Sequence, residues 1–426
     1  MMASFGSRAL PDMAVHTPTQ RLRAAPTADW IAVIRTRFPV ESHLDAVLTR
    51  KLENRAHPAE HRTDFNNLSE RLGTYLRRVT GQPDLELARL ARLSGGASKE
   101  QFTFDLTWRQ DDGARATRKL ILRMDPSESI VETHRLREAQ LLRAMWGEVP
   151  VPEVLWVDAT PASLGHPFLI AGFLEGTVQP EGGKKASGLG MYFEPHLRAG
   201  LKDQFVRHLA RIHTVDWQNR ELSSYDRPEP GTIQGNAWSL GVWERVWHED
   251  TLEAHPILEY AADWLKRNMP VVAHPVVVHG DYRSGNFMYT DELRINAVLD
   301  WELAHIGDHH EDLSYTASDI LGCPDDSGTL LVSGLLPRAE FLARYCDYSG
   351  LPVDEDKLFY FDVLNAYKMA VIAVATSLRT AHGRRTHLDA MMNLLSGFGY
   401  ISISILQRLL DDAPSAARRD LRKQFG

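Results

Sequence analysis

At 426 residues the chain exceeds one ordinary core and implies two or three packed units. Its 43 % apolar and 24 % charged composition is that of a globular protein, and a net charge of −8 with a pI near 6.1 excludes a general nucleic-acid surface. Cys323 and Cys346 are too few for a disulfide framework or a zinc ribbon, which points to a reducing, cytoplasmic setting, and no run approaches the roughly 18 apolar residues of a membrane span.

Residues 1–27 mix Pro, Ser, Thr and Ala without periodicity and read as a disordered leader. Arg8, Arg21 and Arg23 against Asp12 alone give it a basic bias that a transit peptide would share. Residues 28–86 read as a helical N-terminal appendage: Ile31, Ile34, Leu44, Val47 and Leu48, then Leu68, Leu72, Tyr75 and Leu76, recur at helical spacing. Gly81-Gln82-Pro83 ends it. Residues 87–175 change character. Runs 87–93, 101–108 and 118–124 read as strands, a helix is expected over 130–146, and strands return around 152–158 and 167–173. Strands, one helix and strands again predict an α+β lobe on an antiparallel sheet. Within residues 176–426, Gly182-Gly183 and Lys184-Lys185 mark a surface insertion. Beyond it the pattern is helical, over 196–213, 238–247, 257–268, 338–348, 356–380 and 387–410, with a frayed tail from Asp411. The one β element expected in this half is a hairpin.

That hairpin carries the chemistry. Phe287–Tyr289 and Ile295–Leu299 flank Thr290-Asp291-Glu292, with Asn286 just before the first run and Asp300 just after the second. The open ends of an antiparallel hairpin lie about 5 Å apart, so Asn286 and Asp300 face one small volume. Asp281, five residues before Asn286, sits on the loop entering it. Two oxygen ligands beside a third, free carboxylate suit magnesium-nucleotide phosphoryl transfer. His279-Gly280-Asp281 followed by Asn286 repeats the spacing of a kinase catalytic loop, with Asp281 as base and Asn286 as metal ligand. Asp300-Trp301-Glu302 takes the place of the kinase metal-binding segment. A plain Asx-turn at Asp281 is the alternative. His279 reads as a residue that pins backbone carbonyls rather than as a catalyst.

Leu93 to Lys99 lies between the first two strands. There Gly95, Gly96 and Ser98 can bring backbone N–H groups and a hydroxyl to phosphates, or simply turn a hairpin. The third strand ends at Arg123, and the following helix offers Glu138 as its partner; Lys119, four residues earlier on the same face, is the competing cation. His305, Asp308, His309 and His310 admit a metal-hydrolase reading, although they lack a recognised ligand spacing and imidazoles suit zinc or iron. Trp243 and Trp247, four apart on one helical face, either wall a substrate cavity or fill the core. Arg283 and Glu302 are the other substrate-side candidates.

The strings HGDYRSGN, AVLDWELAHIGD, EDLSYT, LSGGAS, ILRMDP, REAQLL, VPVPEVL and LARIHTVD resemble the aminoglycoside phosphotransferase-like kinases, in family order from about residue 88 to 400. Arg123 in place of Lys, the Leu-Asp-Trp-Glu-Leu string and the Trp-rich segment before His279 resemble one branch more closely. It is the branch of kinase-like domains fused to, or encoded beside, acyl-CoA dehydrogenases. The resemblance implies a bilobal protein-kinase-like α+β fold, ATP (or another NTP) and Mg²⁺, Asp281 as base, and Asn286 and Asp300 as ligands. It also implies a hinge near Ala171-Gly172-Phe173, which places Phe173 at the nucleotide. His309 departs from the Pro usual after Gly-Asp. The expected activity is phosphorylation of a small-molecule hydroxyl, on an apolar or aromatic compound or a hydroxyacyl-CoA-like one. An aminoglycoside or other antibiotic O-phosphotransferase and a catalytically silent pseudokinase are the alternatives. No nucleic-acid or membrane partner is expected.

Overall fold

The computed structural model describes residues 17–56, 67–93, 99–110, 112–125, 131–180, 189–383 and 397–413. Gly95, Gly96 and Ser98, and the Gly182-Gly183 and Lys184-Lys185 pairs that mark the insertion, lie outside the described residues. Part of the stretch expected to be a leader is helical: α1 spans Pro18–Ala24. Thr17 and Gln20 form a reciprocal capping box there, and Arg23 Nε donates to the His248 carbonyl at 2.7 Å.

α2 (Ala28–Arg37) and α3 (Ser42–Ala56) follow, separated near Pro39, and then α4 (Leu68–Thr80). These helices do not act as one appendage. Leu68, Leu72, Tyr75 and Leu76 form one stripe of α4 and pack on Phe102, Phe104, Leu120, Leu122 and Phe168 of the sheet. Leu48 of α3 instead joins the helical core around Trp243 and Phe361. Gly81, at φ +66°, ends α4 in the left-handed region.

The sheet comprises β1 (Glu86–Arg92), β2 (Glu100–Arg109), β3 (Arg115–Met124), β4 (Val154–Asp158) and β5 (Phe168–Gly172), ordered β1-β2-β3-β5-β4 and antiparallel throughout. α5 (Arg135–Met145) lies between β3 and β4 in the chain. This is the α+β lobe that the alternation of strands and one helix implied.

The second lobe is mostly helical. It contains α6 (Pro195–Thr214), α7 (Gln234–Asp250), α8 (Pro256–Arg267), α9 (His310–Thr316), α10 (Arg338–Ser349), α11 (Glu355–Val371), α12 (Ser377–Gly383) and α13 (Gly399–Asp412). A π-helical segment, Ile372–Thr376, joins α11 to α12. The run Glu355–Thr380 is long and apolar enough by composition to cross a membrane, which corrects the sequence expectation, yet 72 % of its most apolar window is buried in the fold. β content also exceeds the single hairpin expected. Besides β7 (Phe287–Tyr289) and β8 (Ile295–Val298), β6 (Val276–Val278) pairs with β9 (His305–Gly307). β10 (Cys323–Pro324), β11 (Leu330–Val332) and β12 (Leu336–Pro337) make a small meander. Strands of two or three residues carry too few side chains for alternation to reveal them.

Candidate active site

The β7–β8 hairpin brings its open ends together as its sequence implied. Phe287 pairs with Val298, and the Leu299 amide donates to the Asn286 carbonyl at 2.8 Å, so Asn286 and Asp300 lie side by side. Asp300 sits at φ +63°, ψ +61°, a left-handed conformation uncommon for non-glycine residues, though less so for aspartate. Its Oδ1 is buried and makes no hydrogen bond among the described residues; Arg123 lies 3.6 Å away. Burial, reinforced by the nearby Glu302 carboxylate and only partly offset by Arg123, pushes the Asp300 carboxyl up to about 7.

Asp281 is held from three sides. Its Oδ1 accepts from Tyr315 Oη at 2.5 Å and from Arg283 Nε at 2.9 Å, and its Oδ2 accepts from Asn286 Nδ2 at 2.6 Å. That same amide nitrogen donates to the Asp281 carbonyl at 2.8 Å. Asn286 thus spends its nitrogen on Asp281, which leaves its Oδ1 as the atom it can offer to a ligand.

The loop beneath them hangs from Asp312. Its buried carboxylate accepts from the His279 and Gly280 amides at 2.7 and 2.8 Å and from His213 Nε2 at 3.0 Å. Burial works against that charge, but the His213 bond and the loop amides hold the carboxyl below the usual range. His279 Nε2 donates to the Leu299 carbonyl at 3.0 Å, tying loop to hairpin, while its Nδ1 accepts from the Asp281 amide at 3.3 Å. Lys368 Nζ, from α11, donates to the Gly280 carbonyl at 3.0 Å. Gly280 has φ +81°, and a Cβ there would stand 2.7 Å from the Leu303 carbonyl oxygen, so both conformation and space require glycine.

Across the cleft, Arg123 pairs with Glu138 of α5, and Arg135, fully buried, pairs with the other Glu138 oxygen and with Asp125 at 2.8 Å. Burial opposes the Glu138 charge, yet these two guanidiniums hold its carboxyl below the usual range. Lys119 goes elsewhere: its ammonium lies 3.9 Å from the centre of the Phe173 ring, at the link between lobes. Lys99 Nζ is buried without a hydrogen bond, 3.5 Å from Glu302 and 3.6 Å from Asp125.

A mostly apolar cavity opens next to this loop, lined by Gly280, Trp301, Leu303, Trp238, Trp243 and Leu48 among others. Trp243 lines it; Trp247 does not. The Trp247 ring is buried in the helical core and its Nε1 donates to Glu259 at 2.7 Å, so of the two readings it takes the core-filling one. Glu302 lines the cavity, whereas Arg283 is committed to Asp281.

Asp308, His309 and His310 have ligand atoms within 4.8 Å of one another. Their atoms are already committed: His310 bridges Asp308 Oδ1 at 2.6 Å and the Asp354 amide at 2.9 Å, His309 Nε2 donates to the Pro352 carbonyl at 2.9 Å, and Lys357 caps Asp308 at 2.8 Å. This hydrogen-bonded knot joins α9 to α11 and shares no bond with Asp281. Tyr315, Arg135, Lys99 and Lys368 were not singled out from sequence. Tyr315 alone had a signal, as part of the EDLSYT string.

Residues 90–357 match the profile described as the phosphotransferase enzyme family, well over half of the 426 residues. The chain belongs to the phosphotransferase enzyme family. Asp281, Asn286, Asp300, Arg123 and Glu138 all fall within the match, and α2 and α3 fall outside it. Among curated proteins, Probable acyl-CoA dehydrogenase IBR3 of Arabidopsis thaliana is 26 % identical over 79 % of this chain and 42 % of its own length. Acyl-CoA dehydrogenase family member 10 of Mus musculus is 26 % identical over 65 % of this chain and 26 % of its own length. The chain thus spans less than half of these relatives. A Ralstonia eutropha protein described as an aminoglycoside phosphotransferase superposes with a TM-score of 0.60 at 21 % identity, over 82 % of this chain and 99 % of that one. A thermostable mutant of aminoglycoside phosphotransferase APH(4)-Ia, in ternary complex with ADP and hygromycin B, gives 0.50 at 15 % identity over 81 % and 99 %. The two lobes are therefore the bilobal, kinase-like arrangement of this phosphotransferase family.

Proposed function

We propose that this family member transfers the γ-phosphoryl group of ATP to a hydroxyl of a small molecule with an apolar or aromatic body, with Asp281 as base. The observation that carries the reading is the convergence of Asp281, Asn286 and Asp300 at one hairpin mouth, facing the Arg123–Glu138 pair. The acceptor oxygen forms the new bond to phosphorus, its proton passes to the Asp281 carboxylate, and the bond to the β,γ-bridging oxygen breaks to release ADP. Tyr315, Arg283 and Asn286 fix the carboxylate for that transfer. Arg123, oriented by Glu138, is the cation placed for the nucleotide phosphates in preference to Lys119, and Gly95, Gly96 and Ser98 precede it in the same role.

The donor set fits Mg²⁺: Asn286 and Asp300 offer hard oxygens, and the Asp300 Oδ1 is buried without a hydrogen bond among the described residues. When bound there, the ion would neutralise charge on the transferring phosphates. The raised Asp300 carboxyl gives a pH test. An unfolded aspartate ionises near 3.9, so between about pH 4 and 7 the folded protein holds a proton the unfolded chain has lost. Its contribution to stability fades as pH rises through about 7. Mg²⁺ without nucleotide should therefore raise the melting temperature more at pH 8 than at pH 6, and Asp300→Asn should abolish the difference. Equal shifts at both pH values would remove Asp300 as a ligand.

For the acceptor, the apolar cavity and the acyl-CoA dehydrogenase relatives favour an apolar alcohol or a hydroxyacyl thioester. Aminoglycosides, the substrates named for the structural neighbours' class, are polycations. Phosphorus NMR and ADP release, run over hydroxyacyl-CoAs, aliphatic and aromatic alcohols and aminoglycosides, test this. Transfer to aminoglycosides alone would replace the acceptor class. Mg-ATP binding with no transfer to any of them would leave a nucleotide-binding pseudokinase.

A further inference from the structure

The cavity beside the catalytic loop has a wall from outside the matched family region. Leu44, Leu48 and Lys51 of α3 face Trp238, Val242, Trp243 and Val246 of α7 across it. α3 is fixed there by charge. Glu41, just before it, takes both guanidinium nitrogens of Arg137 at 2.8 and 3.1 Å, in a buried fork. Lys51 reaches Glu249 at 2.6 Å and Asp250 at 3.1 Å, and Arg55 reaches Asp250 at 2.7 Å. Removing one member of such a pair strands the other in a low-dielectric interior, so the network sets the seat of α3 on α5 and α7 rather than adding bulk stability.

The same pairs leave the cavity chemically apolar. Glu41, Asp250, Glu138 and Glu311 each have a cationic or imidazole partner, and Lys51, Arg137 and Lys368 are likewise engaged. Glu132 is the exception: it makes no hydrogen bond or ion pair among the described residues, and burial raises its carboxyl toward the neutral acid. A wall of leucine, valine and indole with one unpaired carboxyl favours a neutral hydrocarbon and disfavours an anion.

We propose that α3 is the acceptor-selecting wall: Leu44 and Leu48 set the depth of the cavity, and the acceptor is an alcohol whose extended apolar chain lies between α3 and α7. This rests on the phosphotransfer reading, because the chain must present its hydroxyl at the Gly280 end, beside Asp281. Each methylene buried between the helices should tighten binding about fourfold.

The test uses the full chain and n-alkanols from butanol to dodecanol. Binding is followed by tryptophan fluorescence without nucleotide, and turnover by ADP release with Mg-ATP. The wild type should bind longer alkanols progressively more tightly up to a limit. Leu48→Phe should shorten that limit and weaken the longest alkanol at least tenfold more than it weakens butanol; Leu48→Ala should lengthen it. Leu44→Phe, at a half-buried position, gives the same reading should the Leu48 variants fold poorly, and melting curves establish which variants are folded. A chain-length profile identical in the wild type and in folded Leu44→Phe or Leu48→Phe protein overturns the proposal. Length selection in binding with no ADP release from any alcohol would support the wall and sink the phosphotransfer reading instead.

Discussion

Replacing Asp281 by Asn is expected to lower kcat by about 100- to 10,000-fold, the usual worth of a positioned general base. The affinity for Mg-ATP should change little, because Arg123, the cation proposed for the nucleotide phosphates, is held by Glu138 and not by Asp281. The substitution is nearly isosteric, yet it cannot be electrostatically silent. Every atom that meets the Asp281 carboxylate is a donor: Tyr315 Oη, Arg283 Nε and Asn286 Nδ2. An amide has one oxygen, so either Oδ1 with its two donors or Oδ2 with its one would meet an NH₂ group instead. Asp281→Ala removes the acceptor entirely and should show the same loss. Tyr315→Phe, which deletes one donor and leaves the base, should cost far less. Steady-state turnover with calorimetric titration of nucleotide separates these cases. Retained kcat in the Asn variant would exclude Asp281 as the base, while lost nucleotide affinity would mean that its role is to hold the fold of the site.

Much of this site was legible because its parts are local. Asp281, Asn286 and Asp300 lie within twenty residues joined by one short hairpin, so pairing rules alone bring them together. Arg123 and Glu138 were legible as consecutive elements, a strand end and the helix after it. What escaped depends on chain-distant packing. Tyr315 reaches Asp281 only because α9 folds back under the loop, and Lys368 reaches Gly280 from α11, 88 residues on. Neither has a spacing that announces it. Trp243 and Trp247 share a helical face, yet one lines the cavity and the other donates to Glu259 of α8. Residues 28–86 looked like one appendage because helical periodicity records that a stripe is buried, not against what. α4 serves the sheet, and α3 serves the helical lobe. Asp312 lies in α9, yet its carboxylate serves the His279 and Gly280 amides of the loop that carries Asp281, 33 and 32 residues earlier, and His213 of α6 rather than its own helix.

That last difference makes Asp312 the residue whose loss should be felt most in stability as well as in rate. Three donors converge on its two oxygens, the His279 amide, the Gly280 amide and His213 Nε2, and none is exposed to water. A buried donor left without its acceptor costs about 1–3 kcal/mol, and breaking a buried charged pair costs about 3–5 kcal/mol. Asp312→Asn should therefore lose several kcal/mol, since its NH₂ must face either an amide or the imidazole. Because its carboxyl lies below the usual range, the stabilisation is fully present above about pH 4 and is lost only as pH falls further. The deficit of the variant should thus be constant from pH 6 to 8 and shrink in acid. The rate should fall too, without contact between Asp312 and any reacting atom. The His279 and Gly280 amides immediately precede Asp281, and a shift of about 1 Å in a reacting group costs on the order of 100-fold. Urea unfolding across pH, with kcat measured where the variant is still folded, checks both halves. A variant that unfolds like the wild type but has lost turnover would move Asp312 from holding the loop to acting in the chemistry. One that is destabilised with normal turnover would show that the loop keeps its shape through His279 and Lys368 alone.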